Sequence, residues 1–141
     1  MDTGIKVGDC MKTELITISD DASVFDCAKL MTDEKIGSLV VKDSKGKSYG
    51  LVTDEDLVRK AIAKNNLKAK VKEITSKPLI GIAADADLSE AARQMGLRHV
   101  KRLVVQKGHE VVGIITARDI IELSPSLYDL IAERERIKGI A

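Results

Sequence analysis

Two stretches of this chain bring together groups that could do chemistry. Gly50-Leu51-Val52-Thr53-Asp54-Glu55-Asp56 returns in pattern as Gly113-Ile114-Ile115-Thr116-Ala117-Arg118-Asp119. Each runs Gly, two apolar residues, Thr, two variable residues, Asp, and then a helical pattern. A buried strand that ends in Thr and turns at once into a helix gathers a hydroxyl, the unpaired N–H groups of a first helical turn, and a carboxylate. That set can grip a ribose and its phosphates: the carboxylate accepts from both hydroxyls, and the helix start favours an anion. The same residues also have a purely structural meaning. Thr at the N-cap with Asp three residues on resembles a capping box, worth about 0.5–2 kcal/mol with no ligand. The two roles are compatible, because a capping Thr can still touch a phosphate.

The elements that position these tips repeat. Val7 to Met11 is a short lead-in turn or helix, and Leu15-Ile16-Thr17-Ile18 a strand. Ser19-Asp20-Asp21 offers a helix start, and Val24, Cys27, Ala28 and Met31 keep the spacing of one buried helix face. Gly37 is expected to end that helix. Ser38 to Val41 and Tyr49 to Val52 read as strands around a polar turn, and Thr53 opens a helix to about Lys64. Asn65 to Lys70 reads as a polar linker. An offset of 64 then lays Val7–Val41 on Val71–Val105, and an offset of 63 matches Gly50, Thr53 and Asp56 to Gly113, Thr116 and Asp119. The second copy has a strand at Leu79–Ile82, and a helix entered from Asp85 and Asp87 with the face Leu88, Ala91, Ala92 and Met95. It closes with a hairpin from Leu103 to Ile115. The order β-α-β-β-α thus occurs twice. A copy of about 60 residues is marginal for a core, so two copies related by a pseudo-twofold are expected to cover each other. The divisions read as 1–64, a linker at 65–70, 71–124, and a C-terminal helix at 125–141. Ser124-Pro125 suits a helix start. Leu127, Leu130, Ile131 and Ile137 form an apolar stripe that must pack on its own domain or on a second chain.

Composition narrows the classes. The chain has 141 residues, 44% hydrophobic and 32% charged, with one Phe and two Tyr, so an aliphatic core is expected. A net charge of +1 with interleaved signs points to neither a nucleic-acid nor a membrane partner. Cys10 and Cys27 stand in no metal or redox spacing, and with only His99 and His109 no metal site is expected. No signal peptide or membrane span is read, which suggests a cytoplasmic protein. No Ser/His/Asp set, metal-ligand set or phosphate loop suggests an enzyme, and Asp56 and Asp119 fall in separate copies.

With both tips, their hairpins, and the strand entries Ile36-Gly37-Ser38-Leu39-Val40-Val41 and Val100-Lys101-Arg102-Leu103-Val104-Val105, the chain resembles the CBS domain family. The resemblance covers about Val7 to Glu122. It implies a mixed α/β (α+β) fold of tandem CBS repeats, the pair known as a Bateman module, often a disk-shaped homodimer. It also implies a regulatory module that binds AMP, ADP, ATP or sometimes S-adenosylmethionine in clefts between repeats and signals to an enzyme or transporter in trans, with no resident cofactor. The alternative is a dimeric interaction protein with vestigial sites.

Carried over from the family, one site would use Thr116, Arg118 and Asp119 with Lys101 and Arg102 near the phosphates, and Ala22, Ile36 and Gly37 on the adenine side. The other would use Thr53, Asp56 and Ser38 with Ala86, Val100 and Lys101. The first gathers three cations, where the second has Gly37, Ser38 and Glu55. The first is therefore expected to be the main site for a charged nucleotide.

Overall fold

The computed structural model describes residues 2–137, with side chains to residue 132. Ile137 of the apolar stripe and the last four residues of the C-terminal segment lie outside the described side chains. The chain divides into two compact units. Unit I is Leu15–Leu79; unit II is Ile80–Ala141 together with Met1–Glu14.

Unit I holds strands β1 (Thr17–Ser19), β2 (Ser38–Lys42) and β3 (Ser48–Thr53), with β1–β2 parallel and β2–β3 antiparallel. Helix α1 (Val24–Glu34) connects the parallel pair. Its buried face is Val24, Cys27 and Met31, at the i, i+3, i+7 spacing. Helix α2 begins at Asp54–Asp56 and widens into a π-helical stretch, Leu57–Ile62, in which Ala63 N–H donates to the Val58 carbonyl at 2.8 Å. Unit II repeats the plan with β4 (Gly81–Ala83), α4 (Leu88–Arg98), β5 (Arg102–Lys107), β6 (Glu110–Thr116) and α5 (Ala117–Leu123). Each unit has its own core. Leu39, Val41 and Val52 meet α1 in unit I, and Leu103, Val105 and Ile115 meet α4 in unit II.

Two helix boundaries differ from the sequence expectation. Helix α1 starts after Ser23, whose Oγ accepts Asp26 N–H at 3.0 Å, and not at Ser19–Asp21. Asp20 and Asp21 have other partners, the Tyr49 hydroxyl at 2.9 Å and Lys70 Nζ at 2.9 Å. The helix ends at Lys35 in the left-handed region (φ 57°), not at Gly37, with Ile36 N–H closing on the Met31 carbonyl at 3.0 Å. His99 repeats this in unit II at the same φ, with Val100 N–H on the Met95 carbonyl. A chain reversal that glycine would usually make is made here twice by larger residues.

The compact units do not follow the sequence repeats, because the lead-in segments are exchanged. The lead-in of the first repeat pairs inside unit II: Leu88 N–H donates to the Ile5 carbonyl at 2.8 Å and Val7 N–H to the Ala86 carbonyl at 2.9 Å. At the matching places in unit I, Val24 N–H donates to the Ala69 carbonyl at 3.0 Å and Val71 N–H to the Ala22 carbonyl at 2.8 Å. The buried side chains follow the backbone. Val7 lies in the core of unit II, while Ala69, Val71 and Ile74 of the short helix α3 (Val71–Ile74) lie in that of unit I. The end of the stretch read as a polar linker is therefore built into a core.

The terminal helix α6 (Tyr128–Ile137) follows a 3-10 turn at Pro125–Leu127 and packs against α4. Leu127, Ile131 and Ala132 are buried, so the stripe packs on its own domain, while Leu130 is 37% exposed. Helix α4 buries the small residues Ser89, Ala92 and Gly96. At the equivalent places α1 has Phe25, Ala28 and Thr32, and Phe25 is 69% exposed. Among the described residues no helix is long and apolar enough to cross a membrane.

Candidate functional site

Both tips form the reciprocal cap read from their spacing. In unit I, Thr53 Oγ1 accepts Asp56 N–H at 3.2 Å, and Asp56 Oδ2 accepts Thr53 N–H at 2.9 Å. In unit II the corresponding distances are 3.1 Å and 3.1 Å for Thr116 and Asp119. Strand entry and tip are adjacent in each unit. Ser38 lies opposite Thr53 and Arg102 opposite Thr116 in the antiparallel register. Asp54 N–H donates to the Gly37 carbonyl at 3.0 Å, and Ala117 N–H to the Lys101 carbonyl at 2.8 Å. Unit II thus gathers Thr116, Arg118, Asp119, Lys101 and Arg102 around one helix start, and unit I gathers Thr53, Asp56, Gly37 and Ser38.

The remaining residues read as adenine-side are divided between the units: Ala22 and Ile36 lie in unit I, Ala86 and Val100 in unit II. Their backbone donors are already committed. Ala22 N–H goes to the Ser19 carbonyl, Ala86 N–H to Ala83, Ile36 N–H to Met31 and Val100 N–H to Met95. The carbonyls of Ala22 and Ala86 accept from the exchanged lead-ins but keep a second lone pair each. These positions therefore offer acceptors and apolar surface, not N–H groups.

The cap uses one oxygen of each Asp; the other faces a cation that the sequence reading did not single out. Lys60 Nζ stands 3.0 Å from Asp56 Oδ1 and also donates to the Ile74 carbonyl and Ser76 Oγ, each at 3.3 Å. Lys12 Nζ stands 3.8 Å from Asp119 Oδ1. Lys12 arrives on the exchanged lead-in and is held beside the tip strand by two hydrogen bonds with Ile114, at 2.9 and 3.0 Å. The equivalent residue in unit I is Ser76, paired in the same way with Leu51. This crossing explains the Gly of each tip. A Cβ at Gly113 would sit 2.8 Å from the Lys12 carbonyl oxygen, and one at Gly50 would sit 2.7 Å from that of Ser76.

The charges at the two tips are inverted copies. In unit I, Glu55 pairs with Arg59 at 3.5 Å; in unit II, Arg118 pairs with Glu122 at 3.2 Å. Counting the pairs, neither tip gains net charge from them, but the end nearest the helix start is negative in unit I and positive in unit II. An open cleft of about 440 Å³ between α5 and α6 is lined by Arg118, Lys101, Glu122, Tyr128, Ile121 and Ile131. Tyr128, on a helix outside the repeats, was not a sequence candidate.

The profile of the CBS domain matches residues 7–63 and 71–126. An uncharacterised protein of Methanopyrus kandleri is 30% identical over 132 residues, covering 92% of this chain and 67% of its own length. The chain spans 31% of a Methanocaldococcus jannaschii relative to which it is 34% identical. A conserved CBS domain protein of unknown function from Thermoplasma acidophilum superposes with a TM-score of 0.85 at 26% identity, covering 94% of this chain and 76% of that one. A CBS domain pair crystallised with 5'-methylthioadenosine and S-adenosyl-L-methionine superposes at 0.78 with 28% identity, covering 86% and 97%. The duplicated fold, the two capped tips and these matches agree: the chain belongs to the CBS domain family, of which it carries two copies.

Proposed function

We propose that this protein is a regulatory module that binds an adenosine-containing ligand at the unit II tip, with AMP, ADP or ATP as the class its charges suit. The observation that carries the reading is the inverted pair Arg118–Glu122. A cation in the first turn of a helix is disfavoured by the helix dipole, by about 0.3–1 kcal/mol at exposed sites. The order Arg then Glu is also the weaker one for an i,i+4 pair. Unit I has the arrangement that favours stability, Glu55 before Arg59. Helix stability therefore does not account for Arg118, whereas a phosphate drawn to Lys101, Arg102 and Arg118 does. Asp119 supplies an acceptor for ribose hydroxyls. The related pair that holds two adenosine compounds supports the nucleoside part of the reading, and S-adenosylmethionine stays among the ligands to be compared.

The test is thermal denaturation with AMP, ADP, ATP and S-adenosylmethionine. A ligand at 100 times its Kd stabilises by about 2.7 kcal/mol. The double variant Arg118→Glu, Glu122→Arg should keep or raise the basal Tm and lose the nucleotide-dependent rise. A double variant that retains the full rise would remove the basis of the reading.

A second reading, a dimeric interaction protein with vestigial sites that works on an enzyme or transporter in trans, is favoured by large apolar side chains left exposed in unit I. Phe25, Val58 and Ile62 are exposed there at 69%, 56% and 60%. Light scattering of the wild type and Phe25→Asp decides it: a dimer that dissociates in the variant and binds no nucleotide at millimolar concentration supports this reading over the first.

A further inference from the structure

We infer that Lys12 is a ligand-contacting residue that sets the preference of the unit II tip for phosphorylated over unphosphorylated adenosine compounds. The inference rests on the nucleotide reading above. Asp119 is a mostly buried carboxylate whose side chain is 13% exposed, and Lys12, 68% exposed, faces it across 3.8 Å. That separation is an ion pair but too long for a strong hydrogen bond. Asp119 Oδ2 is held by Thr116 N–H, so Oδ1 is the oxygen left for a ribose. Ribose hydroxyls that take Oδ1 displace the ammonium, and its four-carbon stem lets it turn to a phosphate without leaving the tip. The charge that balances Asp119 then binds the ligand.

Unit I is not built this way. Lys60 sits on the helix of its own tip at 3.0 Å from Asp56, and two further acceptors fix it. The position equivalent to Lys60 in unit II is Leu123, and the position equivalent to Lys12 in unit I is Ser76, whose Oγ lies 3.5 Å from Asp56 Oδ1. The lysine has thus moved from a fixed place on the tip helix to an exposed place on the exchanged lead-in. Its backbone cannot drift, because Lys12 and Ile114 exchange both hydrogen bonds where Gly113 leaves room for them. Only the side chain is free to change partners.

The experiment is calorimetric titration of the full chain and of Lys12→Gln with adenosine, AMP and ATP, at low and raised salt. Gln keeps the backbone pairing and a polar side chain, though a shorter one, and removes the charge. In the wild type AMP should bind tighter than adenosine. In Lys12→Gln the AMP affinity should fall about tenfold, the size of one charge-assisted hydrogen bond, with less than about a twofold change for adenosine. Lys12→Arg should restore most of the AMP affinity. An equal fall for adenosine and AMP, or a fall for neither, overturns the role of Lys12 while the nucleotide reading survives. A wild type that binds adenosine as tightly as AMP overturns the role of Lys12 and the choice of AMP, ADP or ATP as the ligand class. A wild type that binds none of the three overturns both.

Discussion

Replacing Gly113 by alanine separates two effects of opposite sign. Alanine at a compatible position stabilises by about 0.4–1 kcal/mol, through the lower entropy of the unfolded chain. At Gly113 the new Cβ would lie 2.8 Å from the Lys12 carbonyl oxygen and against the Met11 thioether. The thioether can swing away. The carbonyl cannot, because it accepts Ile114 N–H in the bridge that holds the lead-in. Relieving the contact needs a backbone shift of about 0.5 Å, given ordinary carbon–oxygen separations near 3.3 Å. Overpacking of this kind costs about 1–3 kcal/mol. The clash outweighs the entropy gain, and Gly113→Ala should lose about 1–2 kcal/mol. For a chain of this size that is a Tm lower by roughly 3–8 °C. Urea denaturation should show a lower midpoint with an unchanged slope, and limited proteolysis should cut faster within residues 3–12. Gly50→Ala should behave alike through Ser76. If Gly113→Ala melts at or above the wild-type temperature, the Gly of the tip does not serve the crossing lead-in, and the exchange is not what fixes Lys12.

Other groups give sharper readouts of single contacts. The Ser89 hydroxyl, together with the N–H groups of Thr3 and Ser89, holds the Asp87 carboxyl well below the usual carboxylate range. A carboxyl lowered in the folded state contributes stability that is present above about pH 4, its ordinary value, and is lost as pH falls through the folded value. Asp87→Asn should therefore flatten the acid limb of the stability curve; an unchanged limb would refute the clamp on the lead-in. Burial, and next the hydrogen bond to Asp20, push the Tyr49 phenol up to about 12. Its contribution is present below pH 10 and lost between about 10 and about 12, so phenolate absorbance read in a Tyr128→Phe chain should rise late, and a midpoint near 10 would count against the Asp20 contact. Burial pushes the Cys27 thiol up to about 11. In a Cys10→Ser chain, thiol reagents at pH 8 should reach it only as fast as the protein opens, and rapid labelling of that native chain would contradict its place in the core.

The repeats were legible because their information is local. The faces Val24–Cys27–Met31 and Leu88–Ala91–Met95 announce buried helices, and Thr-x-x-Asp after an apolar strand announces a capped helix. The exchange of lead-ins was not legible, since it is made of backbone hydrogen bonds between residues far apart in sequence, such as Ile5 with Leu88, and leaves no side-chain pattern. Lys12 was missed for the same reason: nothing in the sequence puts it beside Asp119. Position alone gives the charge contrast of Glu55 against Arg118 but not the partners four residues on. The i,i+4 rule would have supplied Arg59 and Glu122, and with them the inversion. Lys35 and His99 at the helix ends defeat a rule that looks for glycine.

Calorimetry with AMP on the wild type, Asp119→Asn and Asp56→Asn decides whether the ligand binds at the unit II tip. Asparagine keeps an oxygen for the cap and removes the charge, so both variants should fold. Saturable binding that is lost in Asp119→Asn and retained in Asp56→Asn is the predicted result. Binding that survives in Asp119→Asn, or is lost only in Asp56→Asn, would contradict the assignment of the ligand to the unit II tip.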